Sequence, residues 1–111
     1  MASEKEIKDK WAELLQYAKE HAKNEGLHRG ERWLQDAFNE YITMSEQVPG
    51  YGMGGQPGSQ HNREVLAERI CLELGHHVGG QHAISDEQEA RLTATLKSIV
   101  EQPQQNQSRK L

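Results

Sequence analysis

The chain has 111 residues, of which 34% are hydrophobic, 5% aromatic and 27% charged, a length that fits one small domain or a domain with a tail. Leu, Ile, Val and Phe together number twenty, about 18%, and a composition this poor points to disorder only when net charge is also high, whereas here it is −4. Residues 1–47 carry 7 basic and 10 acidic side chains and residues 48–111 carry 6 and 7, so neither half has the basic excess of a duplex-binding module.

Ser3 followed by Glu6 is a capping-box signature, and Ile7, Trp11, Leu14, Leu15, Ala18 and Ala22 then recur at spacings of three and four, which predicts a helix over about residues 4–24 ended by Gly26. Trp33, Leu34, Ala37, Phe38, Tyr41 and Ile42 repeat that spacing, with Glu31 favouring the start and Pro49-Gly50 marking the latest stop. So short a connection between two helices predicts an antiparallel hairpin over residues 1–47. Both tryptophans fall in its apolar stripes and are expected in its core.

Residues 48–61 hold five glycines and two prolines, which predicts a flexible hinge. Residues 62–102 read as two shorter helices that pack on the hairpin or on a second chain. Asn62 is placed to cap the first, over about 63–74, with Leu66, Ile70 and Leu74 on one face and Val65 and Cys71 beside it. Ser85 with Gln88 forms a second capping box ahead of Leu92, Leu96, Ile99 and Val100, and Pro103 ends that helix. Residues 103–111 are polar and unpatterned, the signature of a disordered tail. The fold class that follows is all-α: a long helical hairpin plus two shorter helices, joined by a Gly-rich loop.

Cys71, His76, His77 and His82 are four borderline metal ligands within twelve residues, and a small domain with few large apolar residues would gain from zinc. Against that, the spacing runs off a helix end and contains no Cys-x2-Cys, so the favoured reading is a core cysteine and histidines solvating a glycine-rich turn, with no cofactor. The Gly50–Gly55 run lacks the preceding strand and following Lys of a phosphate loop. Tyr51 and Met53 within it are instead candidate contacts for a partner. Lys19, Lys23, Arg29 and Arg32 form a diluted basic patch near the hairpin turn, the footprint of an alternative nucleic-acid role. No Ser, His or Cys stands in a recognisable nucleophile setting, and the expectation is no enzyme.

The apolar pattern offers no run of signal-peptide or membrane-spanning length, and a lone Cys71 forms no internal disulfide, so the expected setting is cytoplasmic. Leu15, Ala22, Ala37 and Ile42 flank the hairpin seam and need a cover. A loop that does not force the shorter helices to fold back makes a second copy the simplest one, hence an expected homodimer or larger assembly. The function that fits is a small regulatory protein, an adaptor or inhibitor working by protein–protein contact, with a nucleic-acid-associated oligomer and a small zinc protein as the alternatives.

Overall fold

The computed structural model describes residues 2–23, 30–75 and 83–101. Among them are four helices and no strand: α1 (Glu4–Lys23), α2 (Gly30–Gln47), α3 (Gln60–Gly75) and α4 (Asp86–Glu101). The first two are the longer pair, of 20 and 18 residues against 16 and 16. The predicted hairpin turn around Gly26, with Arg29, lies outside the described residues, as do His76, His77, His82 and the tail 103–111.

Both predicted capping boxes form. The Ser3 hydroxyl accepts from the Glu6 amide at 3.1 Å while the Glu6 carboxylate accepts from the Ser3 amide at 2.8 Å. Ser85 and Gln88 do the same at 3.1 and 2.9 Å. Each box satisfies two backbone donors that the first helical turn otherwise leaves unpaired.

Helices α1 and α2 run antiparallel, since partners pair in reverse order along them. Ala2 donates to Gln47, Lys10 reaches Glu40, Trp11 packs on Tyr41 and Tyr17 meets Trp33. Helices α3 and α4 are antiparallel by the same test, with Arg63 bonded to the carbonyls of Ile99 and Val100 at one end and the Ala83 amide donating to the Leu74 carbonyl at the other. The second pair folds back on the first. Leu66, Ile70, Leu92, Leu96 and Ile99 are buried in one core with Ile7, Leu14, Ala18, Leu34 and Phe38. His21 of α1 and Thr95 of α4 share a 2.6 Å hydrogen bond across that junction.

Two sequence expectations meet a different outcome here. Trp33 is not core: it is 50% exposed. It precedes Leu34, which already fills the inner side of α2 at that level, and its ring lies edge-on to Tyr17 on the outside of the hairpin, centroids 5.7 Å apart. Second, α3 begins at Gln60, and its cap is Ser59 rather than Asn62, the Ser59 hydroxyl accepting from the Asn62 amide at 3.2 Å. Of the residues flanking the hairpin seam, Ala22, Ala37 and Ile42 are buried and Leu15 packs against the core within one chain.

The 48–61 connection is tied down at several points. Met53, within it, is buried, with its carbonyl accepting from His61 Nε2 at 3.1 Å. The Asn62 side chain accepts from the Gly55 amide at 2.9 Å and donates to the Gln56 carbonyl at 3.0 Å, while the Glu46 carboxylate accepts from the Gly58 amide at 2.7 Å. Gly54 sits at φ 91°, where other residues are strained, and a Cβ on Gly55 would stand 2.8 Å from Asn62 Oδ1 and 2.7 Å from Ser59 Oγ.

Candidate functional site

Helices α3 and α4 turn Leu66, Ile70, Leu74, Leu92 and Ile99 toward the core, and the residues beside those stripes meet along the outer seam. There the side chains are small: Ala67 and Cys71 on α3, and Thr93 on α4. Two helices whose facing residues are this short leave a trough between their ridges. It encloses about 400 Å³, with Ala67, Cys71, Leu96 and Val100 along its floor and Gln60, Glu64, Glu68, Lys97 and Glu101 along its rim. Glu64, Glu68, Lys97 and Glu101 are exposed, so the rim is wet and the floor apolar.

Cys71 is half-buried in that floor and shares a 3.5 Å contact with the Thr93 hydroxyl. Burial pushes its thiol up from the ordinary value, the Thr93 hydrogen bond works the other way, and the nearby Glu89 carboxylate raises it further. A thiol so placed stays protonated at neutral pH and is a poor nucleophile.

A smaller recess of about 200 Å³ lies on the hairpin, lined by Glu13, Tyr17, Arg32, Trp33, Asp36, Ala37 and Glu40. Lys10 beside it bridges Glu13 at 3.0 Å and Glu40. The Lys10 hydrogen bond holds the Glu13 carboxyl below its ordinary value, against partial burial and with help from the Tyr17 hydroxyl.

The residues singled out in the sequence scatter over the molecule. Met53 is buried and Tyr51 half-buried, so of that pair only Tyr51 presents surface. Lys19 and Lys23 are half-buried on α1, and Arg32 is exposed on α2 among the carboxylates of Glu13, Asp36 and Glu40. Of the Cys71, His76, His77 and His82 set, only Cys71 is described, and among the described residues no group of three or more His, Cys, Asp or Glu side chains is arranged to hold a metal ion. Nor, among them, is any helix long and apolar enough to cross a membrane.

The sequence reading missed the trough's Glu64, Ala67, Glu68, Thr93, Lys97 and Glu101. Their signal is faint: small or charged residues flanking two apolar stripes, which becomes a shape only once the register of α3 against α4 is known. Compared with family models, curated proteins and solved structures, the chain matches none.

Proposed function

We propose that this chain is a binding protein, an adaptor or inhibitor that acts through protein–protein contact and performs no chemistry of its own. The observation that carries this reading is the open trough between α3 and α4, apolar along its floor and polar along its rim. A small-molecule site fixes its ligand with polar groups converging inside the pocket. Here the charged groups stand at the edges, exposed, and the floor is hydrocarbon and thiol, an arrangement that suits the apolar ridge of a helix laid along it. The protonated Cys71 fits a surface that binds without reacting.

The reading is tested by placing a photo-crosslinking amino acid at Glu68, on the rim, or at Lys8, on the exposed side of α1, and irradiating cells that make the chain. The expected result is one discrete protein adduct from position 68, none from position 8, and loss of the adduct when Ala67→Trp fills the trough. Equal labelling from both positions, or an adduct that survives Ala67→Trp, would overturn it.

A further inference from the structure

We propose that the occupant of the trough is a cationic amphipathic helix of about three turns, supplied by another protein; this rests on the binding role proposed above and adds the chemistry of the partner. Charge is the first argument. The rim sets three carboxylates, Glu64, Glu68 and Glu101, against one ammonium, Lys97. A helix lying in the trough brings its flanking side chains over those groups, where Lys or Arg is attracted and Asp or Glu repelled.

Dimensions are the second. From Gln60 to Cys71 the α3 wall is eleven residue steps, which at 1.5 Å per residue is about 16 Å, or three turns. A helix of that length presents anchors at i, i+3 or i+4, and i+7. The small side chains of Ala67, Cys71 and Thr93 let its axis approach closely. Leu72 follows Glu68 by four residues and is 52% exposed, so the acidic ridge ends in an apolar side chain that can cover one more anchor.

Charge also argues against a second copy. A twofold contact through this face would set one acidic rim on another. Among the described residues the exposed large apolar side chains are Trp33 and Leu72. Trp33 stands beside Glu13, Asp36 and Glu40. The described surface therefore offers no cationic apolar ridge to fill a neighbour's trough.

The test is selection of helical peptides about fourteen residues long, randomised at flanking and anchor positions, on the full chain, with counter-selection on Ala67→Trp. The expected result is at least tenfold enrichment of Lys and Arg over Asp and Glu at the flanks, reversed on the Glu64→Lys, Glu68→Lys double variant, whose positions are exposed and leave the fold intact. Binding of the selected peptides should weaken as salt is raised. Trough-dependent peptides without a basic bias would overturn the cationic partner while leaving the binding role standing. No peptide that distinguishes the wild type from Ala67→Trp would overturn both. A chain that sediments at twice its mass, and at its single mass when Ala67→Trp is introduced, would put a second copy in the trough and overturn the proposal.

Discussion

An arginine that is only 6% exposed needs its N–H donors answered from inside the fold, and Arg63 finds those answers on two other helices. Nη2 and Nε donate to the Ile99 and Val100 carbonyls at 2.6 and 3.2 Å, near the end of α4, and Nη1 donates to Asn39 Oδ1 of α2 at 2.7 Å. The group also lies 5.4 Å from the centre of the Phe38 ring. A cation at the C-terminal end of a helix is favourable for the helix dipole as well. Arg63→Ala leaves these buried acceptors unpaired and is expected to lower stability by about 2–4 kcal/mol in denaturant unfolding. Arg63→Lys should recover only part of that, because an ammonium cannot span both helices. Two of the aromatic residues of α2 should separate just as clearly. Phe38→Ala removes a fully buried ring and is expected to cost roughly 3–5 kcal/mol. Trp33→Ala, at a half-exposed site, should cost about 1 kcal/mol or less.

Between α2 and α3 the connection is held by polar side chains more than by packing. Asn62 alone serves both the Gly55 amide and the Gln56 carbonyl. Ser59→Ala removes the cap of α3 and should cost about 1 kcal/mol. Asn62→Ala should cost more, and should abolish hydrogen-exchange protection of the Gly55 amide while leaving that of α1 unchanged. Along the hairpin, the Lys10 bridge carries a pH signature. Because the native Glu13 carboxyl is held below its ordinary value of 4.5, the stabilisation is full above that value and is lost as pH falls through the lowered native one. The Glu13 side chain is 40% exposed, which limits the effect to about 0.2–1 kcal/mol. The melting-temperature gap between wild type and Lys10→Met should therefore narrow as the solution is acidified below pH 4.5.

For the molecule as a whole, neither helical pair encloses its own core. Ile7, Leu14 and Ala18 of α1 are fully buried, and α1 touches α2, α3 and α4. Separation would expose those residues, and hydrophobic burial is the main force opposing chain entropy. Residues 1–47 alone are expected to lose most of the helicity they have in the full chain, and the full chain to melt in one transition seen alike by far- and near-ultraviolet circular dichroism. A hairpin that keeps its helicity alone would show the two pairs to be independent.

The four helices are legible in the chain alone, because capping boxes and three-four spacing are local and each needs only a few neighbouring residues. Leu92, Leu96, Ile99 and Val100 are buried as their phase requires. The burial of Arg63 was not legible: it shares the helical phase of Leu66 and Ile70, but a charge argues against burial, and the carbonyls that accept it come from α4, far along the chain. The exposed side of Trp33 was not legible, since a residue at the edge of a stripe goes inward or outward according to what already fills the space. That α3 and α4 fold back on the hairpin comes from packing between helices distant in sequence, which no local pattern specifies. The trough follows from that same packing, because small side chains at positions 67, 71 and 93 make a concave surface only when two helices distant in sequence are set side by side in one register.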